Sequence, residues 1–167
     1  MAVTPDEFRG AMRRFASGIT VITARAGDVD HGMTASAFCS LSVNPPRILV
    51  CVGRTAAIHD VISGAGAFGV TMLSDEMQPL SDRFAGRFPK DQDRFADLDI
   101  SRAPDSGAAW LPGGLGWLDC AVAAAHDGGD HTIYVGEVTA ARLNDGVEPH
   151  AALLYLAGRY RRAGDAL

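Results

Sequence analysis

The sequence predicts a mainly β domain: an antiparallel barrel, closed or partly closed, with peripheral α-helices. Three observations predict it. About five or six segments carry strand-like apolar patterns, tight-turn residues separate them, and helical periodicity is confined to two or three short stretches. The 19 Gly and 8 Pro supply the turns. Strands joined by tight turns pair antiparallel, and closure into a barrel removes exposed edges.

Each element follows in order. Thr4-Pro5-Asp6-Glu7 places a capping threonine, a proline at the first helical position and a glutamate three residues after the cap. Phe8, Met12 and Phe15 then form one apolar helix face, with Arg13 and Arg14 in the last turn and Gly18 as the stop. Ile19 to Arg25 alternates and is β-branched, so it reads as a strand, closed by a turn at Gly27-Asp28. Met33 to Ser42 is small and hydroxylated, and Val43-Asn44-Pro45-Pro46 breaks any regular element. Ile48 to Val52 reads as a buried strand from its continuous apolarity, ended by Gly53. Thr55 is placed as the cap of a short helix carrying Ile58, Val61 and Ile62, closed by Gly64 and Gly66.

Phe68 to Leu73 is the next strand. Ser74 with Asp75 and Glu76 opens a second helix carrying Met77, Leu80 and Phe84, ended by Gly86. Residues 87–114 are poorly periodic, and a connection of that length reads as a functional loop or lid. Trp117 to Ala125 and His131 to Leu143 are strands around a hairpin turn at Asp127-Gly128-Gly129-Asp130. After the turn Asn144-Asp145-Gly146, Leu153 to Tyr160 reads as one last strand.

Composition bounds the function. The 167 residues fit one domain, 1–167, with a core from about 5 to 162. Acids outnumber bases by 20 to 15, for a net charge of -5, which argues against nucleic acid as a partner. The bases are fourteen Arg and a single Lys, Lys90, a skew that fits coding bias. Cys39, Cys51 and Cys120 are an odd number with no Cys-x-x-Cys pair, so a reducing cytoplasm is the expected location. The start lacks a signal pattern, and the aliphatic run Ile48 to Val52 is far short of the roughly 20 residues that span a bilayer, so no membrane partner is expected.

Several chemistries find no support. Gly-x-Gly-x-x-Gly, phosphate-loop, His-x-x-x-His and Gly-x-Ser-x-Gly patterns are all missing. His31, His59, His126, His131 and His150 are scattered, and no metal site is expected. Cys51 sits in an apolar strand, which favours a raised thiol pKa and inertness.

Two segments remain as candidates. Small residues at Gly32-Met33-Thr34-Ala35-Ser36 let a ligand approach the backbone, and hydroxyls at Thr34, Ser36, Ser40 and Ser42 add short donors. A flat polar heteroaromatic ring suits such a strip; a plain Ser/Thr-rich turn suits it too. The second is Gly129-Asp130-His131-Thr132-Ile133 with Tyr134, where His131 points into a cleft or stands as a surface turn histidine.

The string Gly32-Met33-Thr34-Ala35-Ser36-Ala37-Phe38-Cys39-Ser40-Leu41-Ser42, with Pro45-Pro46 and Leu49-Val50-Cys51-Val52, resembles the short-chain flavin reductases of two-component flavin-dependent monooxygenases. Gly-Asp-His-Thr-Ile at 129–133 with Val135-Gly136-Glu137-Val138, Phe84-Ala85-Gly86, and Leu153 to Tyr160 resemble further signatures of that family, in its order. The likeness runs from about residue 5 to 162.

The resemblance implies an FMN-binding split β-barrel, a Greek-key-like antiparallel barrel, acting as a homodimer. It implies reduction of FMN or FAD by NADH or NADPH, the reduced flavin passing to a separate oxygenase. By position in the motifs, Thr34, Ala35 and Ser36 meet the isoalloxazine edge, and Ser40, Ser42, Cys51, Val52, Gly53 and Arg54 follow the ring and ribityl chain. Thr55 and Ala57 lie near the flavin phosphate, with Phe84, Ala85 and Gly86 closing that pocket. His131 faces the nicotinamide with Tyr155, Arg159 and Tyr160. Family members often carry Ser or Thr at the places of Ala56 and Ile58, so here Thr55, Arg54 and the helix-start N–H groups must hold the phosphate. The rival readings are a flavoenzyme that retains its cofactor and a non-catalytic split-barrel module binding flavin or haem.

Overall fold

The chain begins with α1 (Pro5–Met12), and its start is built as the sequence predicts. The Thr4 side-chain oxygen accepts the Glu7 amide, while the Glu7 carboxylate accepts the Thr4 amide, a complete capping box. The helix ends at Met12 and not near Gly18, because Ser17–Gly18 form a short strand, β1, paired with Tyr155 and Leu154. Phe8, Met12 and Phe15 lie on the surface. This computed structural model describes residues 2–87, 92–146 and 151–164, so Lys90 and His150 lie outside the described residues.

The remaining strands are β2 (Thr20–Ala26), β3 (Val29–Ala35), β4 (Phe38–Val43), β5 (Pro46–Gly53), β6 (Ala67–Met72), β7 (Ser101–Arg102), β8 (Ala109–Trp110), β9 (Gly116–Gly128), β10 (His131–Leu143), β11 (Leu153–Leu156) and β12 (Arg159–Arg162). Two further helices are α2 (Ala57–Ala65) and α3 (Gln78–Asp82). All strand pairs are antiparallel.

Seven strands form the main sheet in the order β3-β2-β6-β9-β10-β5-β4. Its two edge strands are joined by only Ser36 and Ala37. Three Cα–Cα steps span at most about 11 Å, so the sheet must roll until its edges nearly meet. The two edges do not pair with each other, and the barrel is split along that seam. The hydroxyl-rich segment read as a possible turn is therefore the end of β3, a two-residue corner and β4.

The roll encloses Ile22, Val50, Val52, Phe68, Val70 and Tyr134, and α2 adds Ile58 and Ile62 to this core. Full burial of one such side chain is worth about 1.5–3 kcal/mol. β5 buries only alternate residues, Ile48, Val50 and Val52, so it is a half-buried strand and not one covered on both faces. Alternation along β2 sends Val21 to a second core with Ile19, Leu73, Met77, Phe84, Leu111 and Leu153.

Three local expectations are corrected. The N-cap of α2 is Ala56, one residue after Thr55, and it makes no side-chain cap bond. Ser74 is followed by a single tight turn, Asp75–Met77, and then by α3; its hydroxyl donates to the Gly113 carbonyl. Leu153 to Tyr160 is the hairpin β11–β12, because Ala157 and Gly158 both take positive φ, 54° and 76°, and reverse the chain. The long connection is anchored among the described residues. Phe95, Leu98 and Ile100 pack on the second core, and the buried Asp119 carboxylate accepts the Asp105 and Ser106 amides.

Candidate active site

A cavity of about 1000 Å³ lies between β3, the start of α2, the turn at Phe84–Gly86, residues 92–95 and the β11–β12 hairpin. Every position from Val29 to Thr34 borders it, as does Ser36. Alternate side chains of a strand point to opposite faces, so an unbroken run means that the free edge of β3 forms the wall. An edge strand presents unpaired N–H and C=O groups. A flat heterocycle with an alternating donor and acceptor rim matches that edge.

Gly32 is required there by close approach. A Cβ at that position would lie 2.7 Å from two ring carbons of Phe84 and 3.0 Å from Phe95. The Phe84 and Phe95 rings meet edge to face, with centroids 5.0 Å apart, and both border the cavity. Thr34 donates its hydroxyl to the Ser81 carbonyl at 2.7 Å, leaving its oxygen free to accept. Ser81 Oγ lies 2.9 Å from the Tyr160 hydroxyl, which donates to Asp82 at 3.2 Å. Tyr155 stands directly across the hairpin from Tyr160, and the rings meet edge to face with centroids 5.4 Å apart.

A second recess of about 310 Å³ adjoins the first and shares Met33, Thr34, Ser36, Thr55 and Ala56 with it. Ala35, Ala37, Cys51, Gly53 and His131 complete its lining. His131 opens β10, opposite Gly53. Its Nδ1 lies 2.7 Å from Asp130 Oδ1. The bond to His131 holds the Asp130 carboxyl below the usual range. A carboxylate only accepts, so the contact assigns the Nδ1 proton to the bond with Asp130 and leaves Nε2 for the recess.

Of the residues named from the sequence, Thr34, Ser36, Thr55, Ala57, Phe84, Ala85, Gly86, Tyr155 and Tyr160 border the larger cavity. Ala35, Cys51, Gly53 and His131 border the smaller. Five others line neither. Ser40 is exposed and Ser42 half-buried on β4, and the Val52 side chain is enclosed in the barrel core. Arg159 is exposed on β12. The Arg54 guanidinium donates to the Gly129 carbonyl and pairs with Asp127 at 3.1 Å, so it braces the β9–β10 turn. The Gly129 amide first, and Arg54 second, hold the Asp127 carboxyl low.

Gln92 to Phe95 also border the larger cavity, from the aperiodic connection. No local pattern marks them, since their place depends on Phe95 meeting Phe84. Asp130 was legible as the neighbour of His131. Burial, with Cys39 nearby, pushes the Cys51 thiol up. Among the described residues no cluster of His, Cys, Asp and Glu suits a metal ion.

The donor set fits a flavin better than a metal or a haem. It offers a free strand edge for a polar ring rim, apolar walls for the ring faces, and the uncapped start of α2 beside Thr55 for a phosphate.

Known proteins share this architecture and sequence. The reductase component of 4-hydroxyphenylacetate 3-monooxygenase from Thermus thermophilus is 40% identical over 157 residues, covering 94% of this chain and 95% of that protein. An NADH-dependent flavin reductase from Rhodococcus is 39% identical over 163 residues, covering 95% and 86%. The solved NADH:FAD oxidoreductase of Streptomyces globisporus superposes with a TM-score of 0.89 at 33% identity, covering 99% of this chain and 98% of that one. The flavin reductase component of a bacterial two-component tryptophan halogenase gives 0.87 at 38% identity, covering 98% and 100%. The flavin reductase like domain matches residues 12–164, from the end of α1 through β12, and this chain belongs to that family.

Proposed function

We propose that this chain reduces free flavin with a nicotinamide dinucleotide and hands the reduced flavin to a separate oxygenase component. The observation that carries this reading is the pair of adjoining cavities, one walled by the β3 edge and the other holding His131, with five residues in common. Two ligands can meet at that shared wall. NADH is the donor, as in the names of the Rhodococcus and Streptomyces relatives.

When both partners are bound, the nicotinamide supplies a hydride from C4 and the flavin accepts it at N5; the protein contributes orientation and electrostatics. The edge of β3 at Thr34, Ala35 and Ser36 holds the flavin ring by its polar rim and stabilises negative charge that develops there. Thr55 and the first N–H groups of α2 hold the phosphate, and the α2 dipole favours that anion. Phe84 and Gly86 close the flavin cavity. His131, oriented through Asp130, positions the nicotinamide from the smaller recess, with Tyr155 and Tyr160 on the cavity wall. Ring planes must approach to about 3–3.5 Å and align for transfer, so misplacing either ring slows the reaction. A homodimer in the cytoplasm is the form in which we expect the enzyme to work.

The test is direct. Purified protein is mixed with NADH and excess FMN or FAD, and the nicotinamide absorbance is followed. Turnover with either flavin supports the reading, and no turnover with both refutes it. Sedimentation velocity across a concentration series tests the dimer: a species of twice 17.5 kDa supports it.

A further inference from the structure

Arg94 is half-buried, borders the larger cavity, and makes no hydrogen bond or ion pair among the described residues. A half-desolvated guanidinium without an acceptor is unusual, because burial of charge is costly unless the charge is matched. The two carboxylates on the same cavity wall are already committed. Asp30 is gripped by Arg102 through both oxygens, at 2.6 and 2.9 Å, and by Arg25 at 3.4 Å. Asp93 Oδ1 accepts the Phe95 amide at 2.8 Å. Neither carboxylate bonds to Arg94, so its guanidinium is left to a ligand.

What surrounds Arg94 narrows that ligand's identity. Its chain neighbour Phe95 is half-buried and borders the same cavity, held in place by edge-to-face contact with the buried Phe84. Aromatic rings beside a guanidinium form the combination that takes a purine with its phosphates. The volume agrees. About 1000 Å³ is at the top of the range of roughly 300–1000 Å³ for small-molecule sites, while the nicotinamide is assigned to the neighbouring recess.

We propose that Arg94, with Phe95 beside it, forms a subsite for the adenosine diphosphate half of FAD, making this chain an FAD-preferring reductase with Arg94 as its flavin-specificity residue. The proposal rests on the flavin reductase reading. Thr55 and the α2 start hold the phosphate next to the ribityl chain; Arg94 holds the second phosphate, which FMN lacks. The pyrophosphate of the nicotinamide dinucleotide has the same chemistry, but Arg94 borders the flavin cavity and not the recess at His131.

The experiment measures binding without NADH. FAD and FMN are titrated by flavin fluorescence into wild-type protein and into Arg94→Ala and Arg94→Lys. Wild type should bind FAD more tightly than FMN. Arg94→Ala should weaken FAD roughly tenfold, the loss of one charge-assisted hydrogen bond, and shift FMN by less than about twofold. Arg94→Lys should recover part of the FAD affinity, and it replaces the alanine variant if circular dichroism shows the latter to be unfolded. Equal wild-type affinity for the two flavins overturns the proposal, and so does an equal loss of both in Arg94→Ala. A higher KM for NADH with an unchanged FAD-to-FMN ratio overturns it as well, by giving Arg94 to the other dinucleotide. Failure of the reductase reading looks different: wild type then reduces neither flavin.

Discussion

His131 stands directly across the β5–β10 pair from Gly53, and its Nε2 is 3.7 Å from where a Gly53 side chain would begin. The missing side chain leaves that ring nitrogen open to the recess, while Asp130 holds the other nitrogen at 2.7 Å. His131→Ala should therefore raise the KM for NADH at least several-fold while changing flavin affinity little. Steady-state kinetics against NADH, with a separate flavin titration, separates the two. An unchanged KM removes His131 from the nicotinamide site.

Gly32→Ala tests the wall between β3 and the phenylalanine pair. The new methyl would lie 2.7 Å from Phe84, whose ring is only 1% exposed and has little room to yield. Overpacking of this kind costs about 1–3 kcal/mol. Urea denaturation should show that loss, accompanied by weaker flavin binding as Phe84 shifts in the cavity.

The β11–β12 turn carries a removable strain. Ala157 holds φ at 54°, a conformation that disfavours a Cβ by roughly 1–2 kcal/mol. Ala157→Gly or Ala157→Asn should raise stability by up to about 1 kcal/mol, read as a higher Tm. Because Tyr155 and Tyr160 flank this turn on the cavity wall, flavin affinity should hold or improve.

The three thiols should separate by reactivity. Cys39 is exposed and should react first with a thiol reagent; Cys51, raised by burial and by Cys39, should follow. Cys120 is buried, and burial first, then Asp119, pushes its thiol from 9.0 up to about 12. It should stay unlabelled until the protein unfolds. Between pH 9.0 and about 12 the unfolded chain releases the Cys120 proton and the folded chain keeps it. The folded state then binds more protons, so stability falls with rising pH, by up to about 1.4 kcal/mol per unit. Denaturation of Cys120→Ala across this window should lack that contribution.

Much of the fold is legible locally. Thr4 and Glu7 announce the capping box, Gly128-Gly129 the long hairpin, and the Val/Ile alternation the strands that fill the barrel. The misreadings share a cause. The end of α1, the cap of α2 and the turn at Ala157-Gly158 are set by pairing or by backbone conformation that no residue pattern marks. Ala157 in particular occupies a place where sequence preference asks for Gly or Asn, so the residue pattern runs on as one strand where the chain makes two.

By itself the sequence determined the barrel class, the family likeness and the two strips that border the cavities, because the β3 edge and the Gly-Asp-His turn are contiguous in the chain. Tertiary structure alone decided which named residues share a cavity. Rolling the sheet brings the β3 edge, the α2 start and the β11–β12 hairpin around one cavity, although the first and last of these are over a hundred residues apart in the chain. It also turned Val52 into the core, tied Arg54 to the hairpin, and lined the cavity with Arg94 and Phe95. The reason is physical. Strand periodicity fixes which residues share a face, but closure of the sheet fixes which faces and edges meet.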